Sequence, residues 1–577
     1  MKLIEETDFC IIRGEKYFLS AARVIVCFSS LIFFSFSIFV KNAYSEDCFI
    51  ATAHTLATKA GCDVLSAGGN AFDAAVAVTA VLGVVEPYSS GFGGGGFYLL
   101  HEANTGRHIF IDARETAPEA SAEDLYLDAQ GNAVAARSRV GALATAIPGI
   151  PAALDHISRK YAKLSLSQNL EPAILLAQDG FDADSRFVRA VSWVEKRLRM
   201  FPSTSAVFLN GNKPFELGQR IRQRNLGKTL EKISERGVSS FYSGEIAREL
   251  VQFVNANGGN WSMDDLSSYK VVEREPVVIE FSQSKIFTAP LPSSGGLVMA
   301  EVFNILESLR YDQHEGVSRT HLIIEAMRRA YNDRARFMGD PDFSEIPSEV
   351  LMSRDYAKLR ASTISEKATP SSTLPTVFDL NVDGEETTHF SIVDAEGNKV
   401  AATLSINGPF GAGMIAGDTG IILNNHMDDF SIGVGSGNAY ELVGNRTNGI
   451  QGGKRPLSSM SPTIVEDEKG YLVIGTPGGS RIISMVLLSV LDYLSTSELN
   501  LDHVVGLPRY HHQYLPDRVQ VEPESFDKTW IHDLESRGHE VQIYHRKWGN
   551  MQAVHCEKAL KKCTVANDPR GRAGVVF

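Results

Sequence analysis

The chain has 577 residues, 44% of them hydrophobic and 22% charged, enough apolar material for a large core and too little charge for a disordered chain. Lys and Arg number 56 against 69 Asp and Glu, and a net charge of −13 argues against nucleic acid or anionic membrane surfaces as the main partner. Six cysteines in this length exclude a disulfide scaffold.

Val24 to Val40 is an uncharged apolar run between Arg23 and Lys41, and Ala43-Tyr44-Ser45 after it has the small–x–small form of a cleavage site. Residues 1–45 therefore read as an export signal, with a mature start near Glu46 and the periplasm as destination. A retained signal-anchor is the alternative, because the segment before the apolar run is long and carries Glu5, Glu6, Asp8 and Glu15. No later segment has the length and apolarity of a membrane span. Cys48, Cys62, Cys556 and Cys563 follow the signal; none has metal-ligand spacing. Local pairs could bridge in an oxidising compartment, but the expectation is unpaired structural thiols.

Ala51 to Gly69 reads as a helix, and Ala71 to Val85 as a second, almost wholly apolar and hence buried, stopped by Pro87. A hairpin turning at Asn104-Thr105-Gly106 follows the glycine run. Residues 150–365 read as mostly helical, with helices over Ala152–Tyr161, Arg186–Met200, Glu245–Asn255, Leu297–Leu309 and Ser318–Phe337. The period then changes. Two more hairpins turn at Glu396-Gly397-Asn398 and Glu468-Lys469-Gly470, and an apolar helix covers Arg481–Tyr493. Strand pairs at both ends of the sequence, with helices between, predict a layered α/β body whose sheets draw on both ends.

Gly91-Phe92-Gly93-Gly94-Gly95-Gly96 matches G-x-G-x-x-G, but here a helix precedes the glycines and a strand follows, the reverse of a dinucleotide site. A tight turn with close backbone approach is the better account. His511-His512 lacks the spacing of a zinc helix, no G-x-S-x-G elbow occurs, and no metal site is expected. Asn260-Trp261-Ser262 and Asn445-Arg446-Thr447 have the form of glycosylation sequons, which arise readily by chance.

Glu385-Glu386-Thr387-Thr388-His389-Phe390 opens a strand, followed by Ser405-x-Asn407, Asn424-Asn425-His426-Met427-Asp428-Asp429, Arg455-Pro456-Leu457-Ser458-Ser459-Met460 and Thr476-Pro477-Gly478-Gly479-Ser480. Singly, each fits an ordinary strand, turn or helix cap. Their joint order, with Ala67-Gly68-Gly69-Asn70-Ala71-Phe72-Asp73 and Glu86-Pro87-Tyr88-Ser89-Ser90-Gly91 upstream, resembles the gamma-glutamyltransferase (glutathione hydrolase) family over roughly residues 50–575. The resemblance implies the αββα sandwich of an N-terminal nucleophile hydrolase, an α+β fold. It also implies a precursor that cuts itself between Glu386 and Thr387, giving a large subunit over 46–386 and a small one over 387–577 that share one core.

By the same resemblance, Thr387 is the nucleophile and its freed α-amino group the base, which removes the need for a Ser-His-Asp set. Arg114 would grip the α-carboxylate of a γ-glutamyl substrate, with help from Ser458 and Ser459. Asp429 would hold its ammonium, with Asn407 and His426 at the same end. Ser405 would support the nucleophile, standing where the family often has threonine. Gly478 and Gly479 would stabilise the oxyanion, and Tyr440 would sit in a lid loop over 433–450. His426 replaces an amide or carboxylate typical of the family. A protonated ring there would repel the substrate ammonium, so weaker donor binding is expected below about pH 6.5. The implied partners are glutathione and other γ-glutamyl compounds, with amino acid or peptide acceptors; no cofactor is implied. A cephalosporin or glutaryl acylase of the same fold, or an inactive binding relative, is the alternative.

Overall fold

The structure is a computed structural model that describes residues 48–211, 213–375, 387–432, 438–439, 441–444, 446–558 and 562–571. The export signal, Glu386 and Tyr440 lie outside the described residues. In chain order the strands of the two large sheets are Phe49–Thr52 (β1), Gly95–Glu102 (β2), Arg107–Ala113 (β3), Val272–Arg274 (β4), Val277–Phe281 (β5), Ser284–Thr288 (β6), Thr388–Val393 (β7), Lys399–Ser405 (β8), Thr463–Glu466 (β9), Gly470–Gly475 (β10), Gln552–Glu557 (β11) and Cys563–Asn567 (β12). The first sheet runs β1-β7-β8-β2-β3-β4 and the second β12-β11-β10-β9-β6-β5. Every pairing within them is antiparallel.

The sheets face one another, β7 and β8 against β10 and β11, with helices on both outer faces. On the first sheet lies Ala71–Val85, a helix buried on every side as its apolar composition requires. The second sheet is covered by Gly295–Ser308 and Arg481–Ser495. This is the layered αββα arrangement, and strands from before residue 376 interleave with strands from after residue 386. Close packing of the sheets shows at Gly475 of β10, where a Cβ would fall on the His389 ring of β7. His389 is buried there, bonded to Thr403 Oγ1 at 2.8 Å, and burial pushes its pKa down to about 3.

Three expectations need correction. Residues 49–52 pair with β7 as a strand, and the helix predicted from Ala51 begins at Thr55. The largely helical middle contains β4, β5 and β6. The β5–β6 turn is made by Ser282 and Gln283, both at positive φ (49° and 64°). Such a turn normally announces itself by Asn-Gly or Asp-Gly, so this hairpin carried no turn signal. Finally, the cysteines are not free thiols: Cys48–Cys62 and Cys556–Cys563 are disulfides.

The Cys48–Cys62 bridge ties β1 to the following helix and closes a loop with a sequence separation of 14. Loops of that size are stabilised by about 3 kcal/mol in the chain-entropy account. Replacing both cysteines by serine should lower the thermal midpoint by several degrees without loss of turnover. An unchanged midpoint would show that the bridge adds nothing to stability.

Candidate active site

One cavity gathers most of the residues singled out above: Arg114, Thr387, Ser405, Asn407, His426, Asp429, Ser458, Ser459 and Gly479. They come from both halves of the chain because the sheets do. Arg114 follows β3, Thr387 immediately precedes β7, Ser405 ends β8 and Gly479 precedes the helix Arg481–Ser495. Gly478 lines a neighbouring cavity instead. Glu386 and Tyr440 cannot be compared, being outside the described residues.

Thr387 is 3% exposed, and its Oγ1 lies 3.4 Å from Ser405 Oγ. Ser405 Oγ accepts from the backbone N–H of Asn407 at 2.8 Å, which orients that hydroxyl. Asn407 adopts φ +72° and donates its side-chain amide to Asn425 O. The strand behind Thr387 is anchored by Glu86, a buried carboxylate that accepts from Thr388 Oγ1 at 2.8 Å, Arg186 Nη1 at 2.7 Å and the Tyr88 hydroxyl. Pro477-Gly478-Gly479 turns from β10 towards the helix with φ of +140° and +56° at the two glycines. Both values lie in the region that favours glycine, and the backbone N–H groups of such a turn can be aimed at an anion.

At the other end of the cavity Arg114 is fully buried. It donates through Nη2 to Asp429, through Nε to Pro456 O at 3.1 Å, and lies 3.5 Å from Glu115 Oε2. Asp429 also accepts from Asn438 Nδ2 at 3.2 Å. Arg114 and Asp429, predicted separately as holders of the substrate's carboxylate and ammonium, are thus partners of one another. A zwitterionic α-amino acid head fits such a pair, its carboxylate turned to the guanidinium and its ammonium to the carboxylate. Ser458 is held by backbone bonds to Pro292 O and from Ser294 N, with its hydroxyl accepting from Met460 N.

Two residues went unrecognised in the sequence: Glu115, behind the lining residues Arg114 and His426, and Arg334 in the cavity wall. Glu115, buried next to Arg114, accepts from His426 Nδ1 at 2.7 Å. It supplies a negative charge beside the imidazole that the sequence-based expectation for His426 lacked. Arg334, also buried, donates to Ser294 Oγ at 2.9 Å and reaches Ser459 Oγ at 3.4 Å. Burial pushes it down to about 10. Its only sequence signal was membership of the amphipathic helix Gly316–Phe337, where an arginine usually faces solvent. The segment expected to form a lid touches the cavity where it is described, through Asn438 on Asp429 and through Leu442 in the wall.

A cavity with a buried hydroxyl at a strand start, one glycine of the Gly478-Gly479 turn in its wall and a charged pair beyond can carry acyl transfer from an amide bearing an amino acid head. Comparison with known proteins agrees. The sequence model of the family described as Gamma-glutamyltranspeptidase matches residues 57–577. A glutathione hydrolase proenzyme of Pseudomonas sp. strain A14 is 41% identical over 506 residues, 86% of either chain. One from Escherichia coli K12 is 40% identical over 499 residues, again 86% of either chain. Among solved structures, the cephalosporin acylase of Bacillus halodurans matches with a TM-score of 0.78 at 25% identity, covering 91% of this chain and 95% of its own. Helicobacter pylori gamma-glutamyltranspeptidase matches at 36% identity and a TM-score of 0.56, over 58% of this chain and 97% of the other.

Proposed function

Given that the chain belongs to the gamma-glutamyltranspeptidase family, we propose that Thr387 carries its γ-glutamyl transfer and hydrolysis after the precursor cuts itself at the Glu386–Thr387 bond. The observation that carries this reading is the shared cavity: Thr387 and Ser405 at one end, the Arg114–Asp429 pair at the other.

In the first event Thr387 Oγ attacks the carbonyl of Glu386, the amide becomes an ester, and water opens it. The products are a large fragment over 46–386 and a small one that begins with the free α-amino group of Thr387. An α-amino group titrates near ~8, so its neutral form takes the hydroxyl proton when Oγ attacks a γ-glutamyl amide. The tetrahedral oxyanion is met by the N–H groups of Gly478 and Gly479. The C–N bond then breaks, the amine leaves with a proton, and the glutamyl group stays on Thr387 as an ester. Water releases glutamate; an amino acid or peptide takes the group instead in transpeptidation. Glutathione is the natural donor of this kind, with cysteinylglycine as the leaving amine. Gly478 has φ +140°, and a Cβ there would fall 2.5 Å from Met485 Cε, so alanine should turn its backbone N–H out of line and lower kcat by about 10²-fold or more with a smaller change in KM, the pattern of a misplaced oxyanion donor. A rise in KM alone would place Gly478 in substrate binding instead.

The same charged pair separates this reading from a glutaryl acylase, whose acyl chain has no ammonium for Asp429 to meet. Export is supported by the apolar run before Glu46 and by the two disulfides, which persist in oxidising compartments. Among the described residues no helix is long and apolar enough to cross a membrane. N-terminal sequencing of the purified protein tests the whole scheme, with starts expected near Glu46 and at Thr387. Turnover of γ-glutamyl-p-nitroanilide should far exceed that of glutaryl-p-nitroanilide. A single uncut chain without turnover would leave only the inactive relative standing.

A further inference from the structure

We propose that His101, His108 and Glu466 form a binding site for a zinc-like divalent ion that fastens the two central sheets to each other, away from the Thr387 cavity. His101 on β2 and His108 on β3 are direct register partners across the first hairpin. Glu466 closes β9, in the facing sheet. The three residues are separated in sequence but converge here, each offering one ligand atom, all within 4.8 Å of one another.

The spacing is that of a coordination shell. His101 Nδ1 lies 3.1 Å from His108 Nε2, and His108 Nε2 lies 3.3 Å from Glu466 Oε1. Ligand atoms on a tetrahedral zinc ion with bonds of about 2.0–2.1 Å stand roughly 3.3 Å apart. Two edges of the tetrahedron are therefore already set, and the third closes by rotation of the Glu466 side chain, which is 26% exposed. The His108 ring is fixed by stacking on Phe287, with centroids 3.6 Å apart and planes 8° from parallel.

The chemistry selects the ion. Two imidazoles and one carboxylate suit zinc and similar borderline ions, whereas magnesium and calcium take oxygen ligands. Lys399, packed over the Tyr471 ring at 3.9 Å, faces the same cluster, and the ligand bonds to any bound cation must offset its charge. Three protein ligands leave a fourth position for water. The site and Arg114 lie at opposite ends of β3, about 20 Å of strand apart. Bound metal should therefore strengthen the sheet packing and leave the acyl chemistry alone. This assignment does not depend on the role given to Thr387.

The test is a calorimetric titration of EDTA-dialysed, full-length processed protein with zinc chloride, alongside magnesium chloride. One zinc per protein and a raised thermal midpoint are expected, with neither effect from magnesium. His101→Gln with His108→Gln, and separately Glu466→Gln, should weaken zinc binding by about a hundredfold or abolish it, with γ-glutamyl-p-nitroanilide turnover unchanged in the metal-free state. Glu466→Gln changes one partly exposed side chain without altering its size and keeps the test valid where the double variant fails to fold. Cobalt(II) should give a tetrahedral absorption spectrum in the wild type that these variants lose. Absence of saturable zinc binding, or binding that the variants leave intact, overturns the assignment.

Discussion

Thr387→Ala is expected to yield one uncut chain on a denaturing gel and to release no p-nitroaniline above background, a loss of about 10⁴-fold or more. Both effects follow from one atom. The hydroxyl that would open the Glu386–Thr387 amide is the hydroxyl that would attack the γ-glutamyl amide, and a methyl group can do neither. The fold should survive. Thr387 sits at the edge of β7 rather than in its ladder, and Thr388 retains its bond to Glu86. The variant should therefore keep the circular dichroism spectrum and a thermal midpoint near that of the parent. Thr387→Ser separates the two roles of the side chain. It keeps Oγ within reach of Ser405 but frees its rotamer, since serine lacks the β-branch that stiffens threonine. Slow cutting and reduced but measurable turnover are expected. If the alanine variant is still cut at 387, another group performs the cleavage and the assignment of Thr387 fails.

What the sequence revealed about this site follows from where its information lies. The helix Ala71–Val85 was legible because fifteen nearly uninterrupted apolar residues have nowhere to go but the interior. The first hairpin and those around Glu396 and Lys469 were legible because Gly and Asn mark their turns. The β5–β6 hairpin was hidden because Ser282 and Gln283 adopt positive φ without a glycine, a strain offset by packing that no local pattern records. Thr387, Ser405, Asn407, Asp429 and the serine pair were legible only as an ordered set. Arg334 and Glu115 were not legible at all, because their functional environment is made by burial. An arginine in a polar helix and the glutamate of an Ala-Arg-Glu run look like solvated charges until other elements close over them. The disulfides and the His101–His108–Glu466 cluster are likewise properties of register and sheet packing.

Arg114→Lys and Asp429→Asn should separate substrate recognition from self-cleavage, and that separation is the sharper test of the charged pair. The guanidinium of Arg114 holds Asp429, Pro456 O and Glu115 in three directions at once. A lysine ammonium is a point charge on a flexible stem and cannot reproduce that fork. Removing one partner of a buried, hydrogen-bonded charge pair at a binding site costs about 3 kcal/mol, or roughly a hundredfold in kcat/KM. Most of that loss should fall on KM, because in the proposed reading the pair would contact the head group and not the reacting carbonyl. Cleavage at Thr387 has no head group to bind, so both variants should still appear as two chains on a gel. Asp429→Asn adds a further discrimination. It leaves Arg114 facing Glu115, removes the anion that would meet an ammonium, and should hardly affect turnover of a glutaryl substrate, which carries none. The ratio of γ-glutamyl to glutaryl turnover should therefore fall by about a hundredfold in this variant. An equal loss on both substrates would mean that Asp429 acts only by bracing Arg114, and that the ammonium is recognised elsewhere in the cavity.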